Sequence, residues 1–125
     1  STDKTAVTYE TKFGTAIDPL VRTTHIVRCR ISGAAAGTPN VINTPAAVMD
    51  ISLYQAGTLI ETLESAISLG LWIDKSYTLV NANSITDYSD LRLRFDITRV
   101  NGAGGAVSWA EMEIPNAPRR IIHIT

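Results

Sequence analysis

The sequence predicts an all-β protein folded as an antiparallel β-sandwich of about seven or eight strands. Two observations carry this. Apolar residues recur with a period of two rather than 3.6, and the periodic segments are short and separated by clusters of Gly, Pro, Asn and Ser. The length of 125 residues fits one domain, since domains cluster at roughly 100–150 residues. The pattern leaves jelly-roll and immunoglobulin-like connectivities open.

Residues 1–15 read as an N-terminal extension, residues 16–115 as the sandwich domain and residues 116–125 as a C-terminal tail or edge strand. Residues 13–21 form an irregular entry to the first core strand, His25-Ile26-Val27-Arg28-Cys29-Arg30-Ile31, whose Val27, Cys29 and Ile31 share one side. Residues 33–45 hold three alanines, two glycines and two prolines and predict a long loop. Val48-Met49-Asp50-Ile51-Ser52-Leu53-Tyr54 turns Met49, Ile51 and Leu53 inward. Gln55-Ala56-Gly57 then leads into Thr58-Leu59-Ile60-Glu61-Thr62-Leu63 as a hairpin. Residues 73–79 predict a strand with Tyr77 and Leu79 inside, followed by one helical turn at 81–85 capped by Asn81.

Leu91-Arg92-Leu93-Arg94-Phe95-Asp96-Ile97 is the clearest alternation, apolar on one face and charged on the other. The last long strand, residues 106–114, sets Ala106, Ala110, Met112 and Ile114 against Val107, Trp109, Glu111 and Glu113. Pro115, lacking an N–H, stops it. If this strand runs antiparallel to the one starting at Leu91, joined through residues 101–105, Glu111 and Glu113 fall on the same outer face as Arg92 and Arg94, and such cross-strand pairs contribute about 0.2–1 kcal/mol each. Beyond Pro118, Arg119-Arg120-Ile121-Ile122-His123-Ile124-Thr125 resumes β-prone composition and suits an edge strand, at home or on a neighbouring chain.

Composition narrows the function. Eleven basic and twelve acidic residues give a net charge of -1, so no basic field draws in nucleic acid or an anionic membrane. No apolar run approaches the roughly 20 residues that span a bilayer. The single cysteine, Cys29, excludes an intrachain disulfide and favours synthesis and assembly in the cytoplasm. In mid-strand, Cys29 reads as buried apolar filler, and His25 as a satisfied histidine at the core edge. The chain carries no Cys-x-x-Cys, His-Glu-x-x-His, P-loop or Gly-x-Ser-x-Gly motif. Gly102-Ala103-Gly104-Gly105 lies between strands, where no helix N-terminus meets an anion. Glu111 and Glu113 imitate a glycosidase pair but face arginines, and Asp87, Asp90 and Asp96 suit turn chemistry better than calcium. No enzyme, metal or cofactor is expected. Among the aromatic residues Tyr9, Tyr54, Trp72, Tyr88 and Trp109, those on outward faces, Trp109 and Tyr54, are positioned to stack against a sugar.

Ile85-Thr86-Asp87-Tyr88-Ser89-Asp90-Leu91-Arg92-Leu93-Arg94-Phe95 followed by Val107-Ser108-Trp109-Ala110-Glu111-Met112-Glu113-Ile114-Pro115 resembles a recurring element of tailed-bacteriophage structural proteins. The resemblance extends to His25-Ile26-Val27-Arg28-Cys29-Arg30, Ile51-Ser52-Leu53-Tyr54-Gln55-Ala56-Gly57, and Trp72 with Tyr77-Thr78-Leu79, and spans residues 16–115. It implies a sandwich of carbohydrate-binding-module type and a structural role on the virus particle, assembled in the host cytoplasm. With short flanks on either side, it points to a capsid decoration or cement protein bound to a major capsid protein or another virion protein. Arg119, Arg120, Ile121, Ile122, His123 and Ile124 are then the expected partner contacts. A homo-oligomer, a trimer above all, covers the strand edges. The competing expectation is a carbohydrate-binding module, free or displayed on a virion, that binds a surface glycan through Trp109 and Tyr54.

Overall fold

The computed structural model describes residues 4–35, 38–39, 47–100 and 104–115. Eight strands follow in order: β1 (Lys4–Lys12), β2 (Ile26–Ala35), β3 (Thr38–Pro39), β4 (Val48–Gln55), β5 (Thr58–Ser68), β6 (Ile73–Thr78), β7 (Leu91–Val100) and β8 (Gly104–Glu113). One sheet has the order β1-β7-β4-β5. In the other, β2 lies between β6 and β8, and the two-residue β3 adds to its far end. Every pairing is antiparallel. The protein is the all-β antiparallel sandwich that the alternation predicts.

The core forms where the inward positions of the two sheets meet. Met49, Ile51 and Leu53 of β4, Leu91, Leu93, Phe95 and Ile97 of β7, and Val27, Cys29 and Ile31 of β2 are all buried. Each large apolar side chain buried there contributes about 1.5–3 kcal/mol. The β4–β5 hairpin turns at Ala56-Gly57, with Ala56 at φ 51°. Tyr77 faces inward and Leu79 is buried. The short helix is a single 3₁₀ turn, Ala82–Ser84, but the Asn81 side chain does not cap it. Asn81 instead donates from Nδ2 to the Ile60 carbonyl at 3.3 Å.

Four further expectations change. The stretch Lys4–Lys12, inside the expected extension, is a full strand paired along β7. It offers the core only Val7 and Tyr9 as large apolar residues, and they remain 42% and 50% exposed, so its alternation is faint. Gly33, Ala34 and Ala35 continue β2 rather than opening a loop. The rest of the 33–45 segment, Thr38–Pro39 apart, lies outside the described residues. Val107 shares a face with Ile31, its partner, because the β2–β8 register shifts at Arg30/Ile31 and a bulge at this point reverses the alternation.

The largest change concerns β8, which pairs with β2 in the opposite sheet and not with β7. Arg28 explains part of this. Its Nη1 lies 2.9 Å from Glu113 and 3.5 Å from Glu111, while Arg92 is held by Asp90 at 2.8 Å and Glu10 at 3.1 Å. The two glutamates therefore find their arginine on β2. Gly33 and Gly105 are direct cross-strand partners, and buried Leu69 presses on both. A Cβ on Gly33 would stand 2.9 Å from Leu69 Cβ and 3.0 Å from its carbonyl carbon, and one on Gly105 2.8 Å from Leu69 Cδ1. Gly33 N–H also donates to the Gly70 carbonyl at 2.7 Å. The glycine pair thus admits the β5–β6 connection against the second sheet.

Gly33→Ala forces backbone to move and is expected to lower stability by about 1–3 kcal/mol, read from the urea midpoint. Gly57→Ala, at a position with open space around it, serves as the control. A G33A midpoint equal to wild type contradicts the close approach.

Candidate functional site

Two surfaces carry unusual side-chain chemistry: the outer face of the second sheet and the sides of the sandwich. On the outer face, Arg30 of β2 is paired with Asp74 of β6 and Trp109 of β8. Its Nη1 donates to Asp74 Oδ1 at 2.9 Å, and its guanidinium carbon sits 5.8 Å from the Trp72 ring centre. Trp72 and Trp109, 36% and 39% exposed, thus flank a charged hydrogen-bonding pair. Tyr54 is elsewhere. It lies on the outer face of the first sheet, half-buried, with the Arg94 guanidinium carbon 5.0 Å from its ring. Trp109 and Tyr54 are therefore on opposite faces and do not make one platform. Arg30's second tryptophan, Trp72, emerges only from the register, since it precedes β6 and no alternation marks it.

The other expected chemistry is occupied locally. Glu111 and Glu113 share Arg28. Asp87 accepts from Ser89 N–H and Oγ at 2.9 and 2.5 Å. Asp90 holds Arg92, and Asp96 accepts from Thr8 Oγ1 at 2.7 Å. Cys29 is fully buried, and burial pushes its thiol up to about 11, which keeps it protonated and unreactive near neutral pH. His25, also fully buried, has Nδ1 3.0 Å from the Thr23 carbonyl and Nε2 2.7 Å from the Tyr88 hydroxyl. A carbonyl only accepts, so Nδ1 donates to it, and Nε2 shares a hydrogen bond with the Tyr88 hydroxyl.

The two sides of the sandwich are closed differently. On the β5–β6 side, Glu64 of β5 accepts from the Tyr77 hydroxyl of β6 at 2.6 Å and meets Lys75 Nζ at 3.2 Å. Glu61 accepts the N–H groups of Val80 and Asn81 at 2.8 and 2.7 Å. Side chains thus stitch the sheets together across this seam. On the opposite side β1 and β8 are edge strands, and among the described residues nothing pairs with their outer edges. Between them runs an apolar seam. Its one end is lined by Val7, Tyr9, Ile97 and Val107, with Gly105 and Ala106. Its other end is lined by Phe13, Ala16, Tyr88, Leu91, Met112 and Ile114. Residue numbers rise together along both walls, so β1 and β8 run in the same direction.

Arg119, Arg120, Ile121, Ile122, His123 and Ile124 lie outside the described residues. Described residues include no group of three or more His, Cys, Asp or Glu placed to hold a metal ion, and no helix long and apolar enough to cross a membrane. No family model matches the chain, and no curated protein or solved structure matches it.

The stitched side makes stability depend on pH. The Tyr77 hydroxyl, helped by Lys75, holds the Glu64 carboxyl below its ordinary value of 4.5. A carboxylate with a depressed folded-state pKa stabilises the fold above the unfolded value and loses that contribution as pH falls through the folded one. Unfolding midpoints measured from pH 6 downward are therefore expected to show a loss, beginning near 4.5, that Tyr77→Phe makes smaller. An unchanged profile in Y77F contradicts the assignment.

Proposed function

We propose that the protein is a structural component of a tailed-bacteriophage particle, of the capsid decoration type, which binds the shell and reinforces it. The likeness of residues 85–95 and 107–115 to such proteins supports this, and one structural observation carries the mode of binding. The seam between β1 and β8 presents two backbone edges over an apolar floor. An extended segment entering there gains main-chain hydrogen bonds from the edges and side-chain burial from the floor, which is how strand addition joins proteins without a catalytic or ligand pocket. A decoration protein needs affinity and rigidity, and strand addition is one way to obtain both. Arg119 to Ile124 are the segment proposed to make the partner contact, and the particle is the proposed location.

Shells assembled from the major capsid protein, centrifuged with the purified protein, are expected to carry it to their own position in the gradient. Deleting residues 116–125 is expected to leave a folded protein that stays at the top. Attachment unaffected by the deletion, or no attachment by the full chain, contradicts the reading.

A second reading, a carbohydrate-binding module, is favoured by the arrangement of Trp72, Arg30, Asp74 and Trp109. Two exposed indoles suit the apolar faces of sugar rings, and the Arg30–Asp74 pair suits their hydroxyls. This reading moves the second stacking residue from Tyr54 to Trp72. Retention on immobilised polysaccharide is expected to fall tenfold or more, roughly 1.4 kcal/mol, in Trp72→Ala and Trp109→Ala and to stay unchanged in Tyr54→Ala. No retention of the wild-type protein on any polysaccharide removes the reading.

A further inference from the structure

We propose that the strand filling the β1–β8 seam is an extended arm of the shell protein with a defined charge order: a basic residue where it enters, apolar residues at alternate positions, and an acidic residue about six or seven positions later. This deepens the reading of the seam as a strand acceptor on a shell, on which it rests, and the contact is additional to that of residues 119–124.

The two ends of the seam carry opposite charge. At one end Glu111 and Glu113 of β8 share the single guanidinium of Arg28 and remain more than half exposed, so one negative charge is left over. The β1 wall at that end adds nothing to it, because Glu10 and Asp90 meet Arg92 while Lys12 lies 3.9 Å from Asp90, two acids against two bases. At the other end stands Arg99 of β7, exposed and with no ion-pair partner among the described residues. Its Nε lies 3.5 Å from where a Cβ on Gly104 would stand, so its charge sits where β8 begins. Between the two ends the floor is apolar, with Leu91 and Met112 nearer the glutamates and Val7, Tyr9 and Val107 nearer Arg99.

Direction converts this polarity into an order along the arm. Because β1 and β8 run the same way, one strand running the opposite way lies antiparallel to both, as every pairing in the described structure is. Such a strand enters beside Glu111 and Glu113 and leaves beside Gly104 and Arg99, which sets its basic residue first and its acidic residue last. Glu111 and Gly104 are seven positions apart, one of which is taken up by the bulge where Trp109 and Val107 face Arg30 and Ile31, and this fixes the spacing of the two charges. The bulge also interrupts the ladder along the β8 edge, so charge at the ends, rather than an unbroken row of hydrogen bonds, distinguishes one arm from another. An arm of reversed polarity sets acid against Glu111 and Glu113 and base against Arg99, and like charges across strands destabilise. Complementary charge of this kind selects partner and register more than it adds affinity. Size adds to the selection: hollows of about 160 Å³ near Met112 and about 320 Å³ near Val107 admit smaller inward side chains at the entry and larger ones further on.

Two acetylated, amidated decapeptides of one composition test this. One opens with two lysines and closes with two glutamates around alternating valine and threonine, and the other exchanges the lysines with the glutamates. In fluorescence polarisation at low salt the lysine-first peptide is expected to bind about fivefold tighter, on the scale of two exposed cross-strand ion pairs, and added salt is expected to shrink the difference. Glu111→Gln/Glu113→Gln and Arg99→Gln, all at exposed positions, are each expected to reduce the preference with circular dichroism unchanged. Equal affinity for the two peptides, binding of neither, or a preference that survives in both variants overturns the proposal. Val7→Lys, at a position 42% exposed, sets a charge on the floor and is expected to lose both the peptide and the shells in sedimentation. A Val7→Lys variant that still sediments with shells overturns the shell arm as occupant and leaves the decoration reading standing, whereas a wild-type protein that prefers the lysine-first peptide and binds no shell contradicts the decoration reading alone. A light-scattering mass of several chains that falls to one chain in Val7→Lys also overturns the proposal, since the occupant is then a second copy.

Discussion

A sandwich of two open sheets has two seams along its sides, and how each is closed governs what the rest of the molecule can do. Here the closures are of different kinds. Glu64 and Glu61 reach from β5 to Tyr77, Lys75 and the backbone after β6, so that side is held by side-chain bonds the chain makes with itself. The β1–β8 side has apolar residues and two backbone edges instead. Exposed edges of this kind invite pairing with another chain and are normally blunted by charge, proline or a bulge. On β1 charged residues stand at both ends, Lys4 at one and Glu10 and Lys12 at the other, with Val7 and Tyr9 partly exposed between them, and β8 carries its bulge opposite Arg30/Ile31. One side is closed by the chain's own side chains, and on the other the strand edges have no partner among the described residues.

That seam exists because β8 crosses to the second sheet. Had it paired beside β7, β1 could not have kept its place next to that strand, and the second sheet would have lost its β8 edge. The crossing is held by contacts of modest individual size. The Arg28 pairs, with all three side chains at least one-third exposed, are worth about 0–1 kcal/mol each. The packing of Leu69 on the Gly33–Gly105 pair is steric and more exacting, since it fixes which residue of β8 lies beside which residue of β2. The same register places Trp109 beside Arg30, and so fixes the outer-face aromatic pair as well.

Much of this was legible in the sequence where one face of a strand is fully buried. Leu91 to Ile97 and Met49 to Leu53 announce their inward sides because each apolar position fills the core. Cys29 and His25 follow from the same phase. Three features were not legible. Strand β1 has too few large apolar residues for a period of two to stand out. The partner of β8 is not legible because a Gly-rich connection beside two strands with opposite charges suits a hairpin and a crossing equally; in the structure Leu69 packs on the Gly33–Gly105 pair and Arg28 meets both glutamates. The pairing of Trp72 with Trp109 across Arg30 depends on the registers of two strand pairs, which local pattern does not encode. Sites assembled across strands are hidden in this way even when every strand is read correctly.

The central claim is that the β1–β8 seam takes a strand. Amide hydrogen exchange on the protein, free and bound to shells, tests it most directly, because the seam-facing N–H groups of β1 and β8 have no partner among the described residues and exchange freely if the seam is empty. Exchange at these amides that slows on shells is the predicted result. Fast exchange along both edges on shells, with the β4 and β7 amides protected, contradicts it.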